Sequence, residues 1–558
     1  MITAPAELLA SLYGEKVARS LFPRLEDFLT RGRTTALARS QSSGRTTLTE
    51  QDSLLITYAD QVREPGVTPL RTLGTFAERH LVGVVSGIHI LPFYPWTSDD
   101  GFSVKDFFAV DPAYGTWDDV QRIGENFDLM FDAVFNHLSA QSEWFIRFLA
   151  DDPACQDFFV TVEGDPDLSL VIRPRALPLL TEFATPSGPR KVWTTFSADQ
   201  VDLNFRNPEV LFVTLAALQF YVNQGARFIR LDAIAFLWKE IGTSCLHLRQ
   251  THQVVQFLRS VLAEVAPAVC LITETNVPHA DNLSYFGDGT NEAQLVYNFA
   301  LPPLVLHSFA TGSAAQLTHW AKTLRLPSDQ ATFFNFLASH DGIGVNPARG
   351  ILSDSEIDNL IARTVAHGGF ISYKHLPDGS KTPYEMNINF FDALSNPARG
   401  ESLELQISRS LCAHAIQLAL IGVPGIYFHS LFGSRSDRAG AEISGIPRRI
   451  NREKLELERL ETELADLPSV RARVFDGFRA LLKTRAAHTA FSPAGSQRVL
   501  ELNDYVFVVE RTSPNGQDRV VCFHNVSERE VSVSGPTGSC RLPGYGFRWI
   551  PGPSITPA

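Results

Sequence analysis

Eight short apolar runs recur along the chain, and stretches with helical periodicity separate them. This alternation is typical of repeated β-strand and α-helix units. Because the runs are almost continuously apolar, each predicts a strand buried on both faces, as in a parallel sheet. Eight such strands fit a closed (β/α)8 TIM barrel of the α/β class better than an open sheet. The predicted strands are Leu54–Tyr58, Gly87–Pro92, Leu129–Phe135, Phe228–Asp232, Val269–Thr273, Leu295–Phe299, Thr332–Ala338 and Val423–Phe428.

Further regions interrupt or flank the predicted barrel. The connection after the third strand is about ninety residues long, too long for a simple crossover, and predicts an inserted B domain. A second insertion, B′, separates strands seven and eight. Near the end, the alternating runs Val499–Glu510 and Arg519–Asn525, with a turn at Asn515-Gly516, predict an antiparallel β domain. The predicted boundaries are 1–51 for an N-terminal helical extension and linker, 52–136, 207–341 and 405–488 for the barrel, 137–206 for B, 342–404 for B′ and 489–558 for the C-terminal β domain.

Composition and charge exclude several classes of protein. The 558 residues include 49 Lys plus Arg against 61 Asp plus Glu, a net charge of −12 at pH 7. This sign repels phosphate backbones, so we expect no nucleic-acid partner. The six cysteines are far apart and form no C-x-x-C pair, which predicts neither a zinc site nor a disulfide framework and favours a reducing cytoplasm. No run is long enough to cross a bilayer, so no membrane association is expected, and neither is a metal or cofactor.

Polar residues cluster where four of the predicted strands end. Barrel enzymes place their chemistry at the C-terminal ends of the strands. A single carboxylate there could equally cap a helix or lie in a solvated loop, but the pattern repeats. The residues are Asn136 and His137 at strand three, Arg230 and Asp232 at strand four, Glu274 at strand five, and His340 and Asp341 at strand seven.

Four motifs surround these residues in the chain. In their order they resemble the four conserved regions of the α-amylase superfamily, glycoside hydrolase family 13. The motifs are Asp132-Ala-Val-Phe-Asn136-His137, Arg227-Phe-Ile-Arg230-Leu-Asp232-Ala, Ile272-Thr-Glu274-Thr and Ser339-His340-Asp341-Gly. Further runs, among them His89–Phe93, Phe299–Pro303 and Arg449–Arg452, resemble the sucrose phosphorylase branch of that family. The resemblance covers roughly residues 52–558.

The resemblance implies a retaining mechanism with three catalytic carboxyl groups. Cleavage of an acetal needs one group to protonate the leaving oxygen and another to capture the oxocarbenium-like carbon. The resemblance assigns Asp232 as the nucleophile and Glu274 as the general acid and then the general base. It assigns Asp341 to sugar hydroxyls and ring distortion. Arg230, two residues before Asp232 on the same face of its strand, is expected to hold the nucleophile ionised, although a purely structural ion pair is compatible with its position.

The resemblance also implies a closed glucose pocket. In the sucrose phosphorylase pattern an Asp and a downstream Arg grip the far side of the ring, and Asp99 and Arg448 occupy the matching positions. The remaining matches are His137 and His340 for sugar hydroxyls, Phe102 and Phe196 as apolar walls that exclude water, and Gln200 as a further pocket residue. For the phenylalanines the alternative is an ordinary core position, and for the histidines a structural one.

The acceptor side of the implied site differs from that of sucrose phosphorylase. Arg175 matches a loop arginine assigned to acceptor or phosphate binding, with a surface arginine as the alternative. Where the loop of sucrose phosphorylase that binds fructose reads Leu-Asp-Leu-Tyr-Gln, this chain reads Lys381-Thr-Pro-Tyr384-Glu. The lost Asp and Gln remove partners for fructose hydroxyls, and the gained Lys381 favours an anionic group, unless it is a solvated loop residue. Tyr384 keeps its place in the loop.

The long N-terminal extension and the runs Asn346-Pro-Ala-Arg349 and Gly368–Tyr373 resemble the glucosylglycerate phosphorylases of the same branch. This resemblance and the acceptor loop lead to one expected reaction and several rivals. We expect a retaining glucoside phosphorylase that converts 2-O-α-D-glucosylglycerate and inorganic phosphate reversibly into α-D-glucose 1-phosphate and D-glycerate. Sucrose or sucrose 6′-phosphate is the rival substrate. The less favoured alternatives are an α-glucosidase and a non-catalytic barrel subunit. The expected partners are therefore small molecules, namely the glucoside, phosphate and glucose 1-phosphate, with a homodimer as the candidate assembly.

Overall fold

A computed structural model of the chain describes residues 2–39, 47–175, 177–375 and 380–552. Eight parallel strands close into a barrel in sequential order, with β8 paired to β1. They are β1 Leu54–Thr57, β2 Gly87–Ile90, β3 Asp128–Ala133, β4 Ala226–Leu231, β5 Cys270–Thr273, β6 Leu295–Tyr297, β7 Thr332–Asn335 and β8 Val423–Tyr427. The predicted (β/α)8 barrel is confirmed. Seven strands end one to three residues before the predicted run does, because the chain there turns into loops that are still buried at the mouth of the barrel.

Helices surround the barrel strands. Asn207 shows how one begins: its side chain accepts a hydrogen bond from the backbone N–H of Glu209, and Pro208 supplies the first helical position. The helices of the barrel are Pro69–His80, Trp117–Gly124, Pro208–Asn223, Arg249–Val265, His279–Leu283, Leu301–Thr311, Ala315–Ala321, Leu403–Ala419, Phe428–Leu431, Arg438–Ser444, Leu457–Ala465 and Val470–Ala486. Within the described ranges, no helix has both the length and the apolar character needed to cross a membrane.

The N-terminal extension forms two helices, Pro5–Tyr13 and Glu15–Arg39, which meet at Gly14. Gly14 has a φ of 80°, a backbone conformation that glycine adopts without steric cost. Both helices pack against the barrel helix Arg249–Val265, which follows β4. The second helix reaches Arg39, so helical structure extends over most of the segment 1–51 that is predicted to hold a helical extension and a linker.

The two insertions form small sheets beside the mouth of the barrel. Strands His137–Ser139 and Gln200–Asp202 pair with each other where the B insertion leaves and rejoins the barrel. Further out in B lie the helix Glu143–Leu149 and a three-stranded sheet of Thr161–Val162, Leu180–Thr185 and Gly188–Trp193. The B′ insertion contains a three-stranded sheet of Ile343–Gly344, Phe370–His375 and Lys381–Asn387, with helices Asp354–Ala366 and Phe390–Leu394.

An antiparallel sheet completes the chain, as predicted. Its four strands are Ser496–Asn503, Val506–Thr512, Arg519–Asn525 and Phe547–Pro551, and a hairpin of Val531–Gly535 and Gly538–Leu542 accompanies them. The prediction of one strand over Val499–Glu510 is wrong, because two strands occupy this range. The chain turns at Asp504 and Tyr505, and the strands on either side of that turn pair with each other.

Candidate active site

Asp232 and Glu274 lie side by side at the ends of two adjacent barrel strands. Strands β4 and β5 are parallel and aligned so that Leu231 lies opposite Thr273, and Asp232 and Glu274 are the next residue of each strand. Both residues are buried. The backbone N–H of Ala233 donates a hydrogen bond to Oε2 of Glu274 at 3.1 Å, which ties the second carboxyl group to the loop that follows the first.

Arg230 supports this carboxyl pair from below. Its guanidinium is only 2% exposed and lies 2.7 Å from Oδ1 of Asp232, 3.7 Å from Oε2 of Glu274 and in direct contact with Asp132. The Asp132 carboxylate is held on its other side by Nε2 of His89, at 2.6 Å. One buried cation thus faces three carboxyl groups, and it lies nearer to Asp232 than to Glu274.

This asymmetry decides which carboxyl group of the pair carries a proton. Burial raises the pKa of both Asp232 and Glu274, while the Arg230 charge opposes the shift at each. Because two adjacent carboxylates repel each other, the pair retains a proton at neutral pH. Arg230 is 1 Å closer to Asp232, so we place the negative charge on Asp232 and the proton on Glu274.

Asp341 approaches the same space from the end of β7. Burial alone would raise the pKa of Asp341, but the Arg448 guanidinium, 2.7 Å away, lowers it below its ordinary value. Arg448 is itself held by Glu385, which receives hydrogen bonds at 3.0 Å and 2.6 Å from two of its nitrogens. Burial lowers the pKa of His340 to about 3, so its imidazole is neutral.

A third group of residues closes the side of the site that faces the B insertion. Arg175 lies 2.7 Å from Oδ2 of Asp99. Burial would raise the pKa of Asp99, but the positive charges of Arg175 and Arg448 lower it well below the usual range. Gln200 lies within 3.5 Å of both Asp99 and His137. Burial also lowers the pKa of His137, whose imidazole is therefore neutral at pH 7.

Aromatic rings form the apolar walls of the site. The Phe102 ring stacks on His340 with a centroid separation of 4.7 Å and an interplanar angle of 6°. The Phe196 ring lies 5.2 Å from that of His137 and 5.5 Å from that of Phe236. Phe102, Phe196 and Phe236 are among the residues that line the site.

One cavity of about 700 Å³, including its open mouth, brings these residues together. Of the fourteen residues singled out from the sequence, twelve line it: Asp99, Phe102, His137, Arg175, Phe196, Gln200, Asp232, Glu274, His340, Asp341, Tyr384 and Arg448. Arg230 lies beneath its floor, in contact with Asp232. Lys381 is exposed at the start of its strand and does not line the cavity. The roles assigned to these residues from the sequence stay predictions.

Sequence reasoning missed several residues of this site. Glu385 lines the cavity and grips Arg448, and Asn276 lines the wall just beyond Glu274. Their signals are weak, since Glu385 directly follows Tyr384 and Asn276 lies two positions after Glu274, but neither matches a recurring pattern. No group of three or more His, Cys, Asp or Glu side chains that could hold a metal ion occurs in residues 2–39, 47–175, 177–375 and 380–552.

The fold and the site together define a class of enzyme. A closed parallel barrel with two carboxyl groups at the ends of adjacent strands is the arrangement with which retaining enzymes act on glycosidic bonds. The family described as "Alpha amylase, catalytic domain" matches residues 82–345. The chain belongs to this α-amylase family, glycoside hydrolase family 13.

Individual relatives place the chain within that family. It is 52% identical over 528 residues to the glucosylglycerate phosphorylase of Allomeiothermus silvanus, covering 95% of this chain and 93% of the relative. It is 47% identical over 486 residues to the glucosylglycerate phosphorylase of Escherichia coli, covering 87% and 86%. Among solved structures, the sucrose 6F-phosphate phosphorylase from Thermoanaerobacter thermosaccharolyticum superposes with a TM-score of 0.74 at 25% identity, covering 88% of this chain and 97% of that one.

Proposed function

We propose that this chain is a glucoside phosphorylase that converts 2-O-α-D-glucosylglycerate and phosphate reversibly into α-D-glucose 1-phosphate and D-glycerate. The observation that carries the proposal is the single cavity that joins the Asp232 and Glu274 carboxyl groups to the guanidinium groups of Arg175 and Arg448. The first pair suits cleavage of a glucosidic bond, and the two cations suit anionic substrates. The high identity to glucosylglycerate phosphorylases supports the choice of substrate.

In the first half of the reaction, the glucosyl group moves to the enzyme. An oxygen of the Asp232 carboxylate attacks the anomeric carbon, and the bond from that carbon to the glyceryl oxygen breaks. The Glu274 carboxyl group gives its proton to the departing oxygen, so that D-glycerate leaves with its hydroxyl restored. The product is a β-glucosyl ester on Asp232 and an ionised Glu274. Arg230 favours an ionised Asp232 and a protonated Glu274, because it stabilises the charge on Asp232 before attack.

In the second half, phosphate takes the place of the released glycerate. An oxygen of hydrogen phosphate attacks the anomeric carbon from the face that glycerate left, and the ester bond to Asp232 breaks. The phosphate proton passes to the Glu274 carboxylate, which restores both carboxyl groups to their starting state. Two inversions retain the α configuration. Arg175, on a loop of the B insertion, is the more exposed of the two arginines that line the cavity, and we assign it to phosphate.

The glucosyl group is held by neutral and negative groups. Asp99 and Asp341 are both ionised, and His137 and His340 are neutral, so the four side chains offer acceptors and donors to sugar hydroxyls. Phe102 is 6% exposed and lines the same cavity as Asp232, and we assign its ring to keeping water from the ester.

A panel of acceptors tests the substrate. Purified enzyme receives α-D-glucose 1-phosphate with D-glycerate, glycerol, fructose or fructose 6-phosphate, and released phosphate is measured. We expect D-glycerate to give the highest kcat/KM. A higher value with fructose or fructose 6-phosphate would refute the assignment to glycerate. The substrate would then be sucrose or sucrose 6′-phosphate.

A product assay with the same enzyme distinguishes phosphorolysis from hydrolysis. With glucosylglycerate and excess phosphate, we expect glucose 1-phosphate as the main product and little free glucose. Predominance of free glucose would make the enzyme an α-glucosidase. An Asp232→Asn variant, which keeps the shape of the side chain, is the control for glucose released by a contaminant.

We further propose that the enzyme works in the cytoplasm. All six cysteines are free thiols in buried positions, which suits a reducing compartment. The homodimer stays a prediction, to be tested by light scattering on the purified chain.

A further inference from the structure

The loop that carries Asp99 has an unusual backbone. Asp99, Asp100 and Gly101 follow one another with φ values of 55°, 49° and 113°. Residues with a Cβ atom adopt this region uncommonly, and although aspartate does so more readily than most, two consecutive aspartates there favour a loop that its surroundings stabilise. Gly101 tolerates it, and a Cβ at this position would lie 2.6 Å from the carbonyl oxygen of Pro92. The path of the loop therefore depends on contacts as well as on local preference.

The support comes from the Asp100 carboxylate, which points away from the cavity. Arg449 donates to it from two nitrogens, at 3.2 Å and 2.6 Å, and Arg452 donates from a third at 2.7 Å. Burial alone would raise the pKa of Asp100, but the hydrogen bond from Arg449 and the charge of Arg452 lower it, so the group is ionised. Three charge-assisted hydrogen bonds anchor one side chain of the strained loop.

Arg452 connects this anchor to the opposite side of the glucose pocket. Its side chain is 2% exposed, its Nε donates to the carbonyl oxygen of His340 at 2.8 Å, and its Nη2 lies 3.7 Å from Oδ1 of Asp341. The loop that presents Asp99 and the loop that presents Asp341 are thus joined through one guanidinium and the Asp100 carboxylate.

We propose that Asp100 is a positioning residue that, through Arg449 and Arg452, holds Asp99 and Asp341 at the separation required to grip the glucosyl group. The inference rests on the proposed function only in taking this cavity as the glucose pocket, and it holds whichever acceptor the enzyme uses. Since Asp100 acts through the two groups that grip the sugar, its loss weakens binding of the glucosyl part much more than binding of the acceptor.

Binding of free glucose to the intact enzyme tests this inference directly. Isothermal titration calorimetry measures the glucose dissociation constant of the wild type and of Asp100→Asn. Asparagine keeps the size of the side chain and also tolerates the left-handed backbone, but it lacks the charge. We expect the dissociation constant to rise about tenfold, as for the loss of a charge-assisted hydrogen bond, with the KM for D-glycerate within about twofold.

Two further variants separate positioning from other effects. Asp100→Gly removes the carboxylate and the backbone strain together, and we expect it to bind glucose as weakly as Asp100→Asn. Wild-type affinity in Asp100→Gly would mean that only the backbone conformation matters. Glu510→Gln is the matched control, because Glu510 is a buried carboxylate in the C-terminal sheet that is also held by two arginines, Arg498 and Arg519. It should lower the melting temperature without changing glucose affinity.

The possible outcomes distinguish the two proposals. Unchanged glucose affinity in folded Asp100→Asn overturns the positioning role, even if the enzyme is a phosphorylase. Absence of glucose binding by the wild type overturns the assignment of the pocket, and with it the proposed function. If Asp100→Asn does not fold, Arg449→Gln removes only the half-exposed part of the anchor and carries the test. We then expect about threefold weaker glucose binding, and an unchanged constant refutes the inference.

Discussion

Replacing Arg230 with Gln removes the cation shared by three buried carboxyl groups. The Asp232 oxygen lies 2.7 Å from the guanidinium, and Coulomb's law with an effective dielectric constant of about 20 gives roughly 6 kcal/mol of attraction at that distance. The net loss is smaller because the free arginine and carboxylate are well hydrated. Breaking a buried ion pair by removing one partner costs about 3–5 kcal/mol. We expect Arg230→Gln to lose about this much free energy of unfolding and nearly all activity.

The size of this loss depends on pH. Burial already raises the pKa of Asp232, and without Arg230 nothing opposes that shift, so its folded-state pKa rises further above the unfolded value. A group of this kind binds a proton more tightly in the folded state, so its contribution is fully present at low pH and is lost as pH rises toward the folded-state pKa. The wild type loses stability in the same way up to its own raised pKa, so the deficit of Arg230→Gln grows only between the wild-type pKa and the higher pKa of the variant, by about 1.4 kcal/mol per pH unit for one carboxyl group.

Urea denaturation of both proteins at two pH values, one below the wild-type pKa and one above it, measures the deficit. The matched control is the double variant Arg230→Gln, Asp132→Asn, which removes one of the carboxylates left without a cation. We expect it to recover part of the stability lost at the higher pH and none of the activity. An equal deficit at both pH values, or a double variant no more stable than Arg230→Gln, would show that Arg230 does not neutralise these carboxyl groups.

Three further predictions concern other parts of the molecule. Because burial raises the pKa of Glu274, kcat/KM should fall as pH rises through that pKa and the leaving group loses its proton donor; a profile without an alkaline limb argues against this role. Lys381→Gln should lower kcat/KM for glycerate by about twofold at low salt and not at all at high salt, since an exposed cation acts by steering; a loss that persists in high salt would indicate direct contact. Deleting residues 2–39 should lower the melting temperature by several degrees, because it uncovers the apolar face against which buried leucines such as Leu9 and Leu25 pack, while KM stays constant; an unchanged melting temperature would refute this.

The barrel could be predicted from sequence because its signal is local and repeated. Each strand is buried on both faces, so apolar runs such as Phe228–Asp232 stand out without any knowledge of their neighbours. The same holds for the strand ends, since a polar residue directly after such a run must lie at the mouth of the barrel. The strand break at Asp504 shows the limit, because a tight turn between two alternating strands interrupts the pattern by only two residues.

The contacts within the site could not be predicted in the same way. Asp100 and Arg452 are 352 positions apart, and the local sequence around neither residue predicts the hydrogen bond between them. A charged residue in a strand is usually solvated, so the local pattern does not single out Glu385, which here is buried against Arg448. Lys381 was singled out for its charge, but the register of its hairpin leaves it exposed outside the cavity. Long-range pairing and register, which the local pattern does not encode, decide all three.

The central claim is that Asp232 carries the glucosyl group between the two halves of the reaction. Mass spectrometry tests it on a Glu274→Gln variant supplied with α-glucosyl fluoride, whose leaving group needs no proton and whose ester is then slow to be released. We predict one added glucosyl residue per chain, located after digestion on the peptide that contains Asp232. A glucosyl residue attached to any other side chain, or an enzyme that consumes the fluoride without any covalent adduct, would contradict the account.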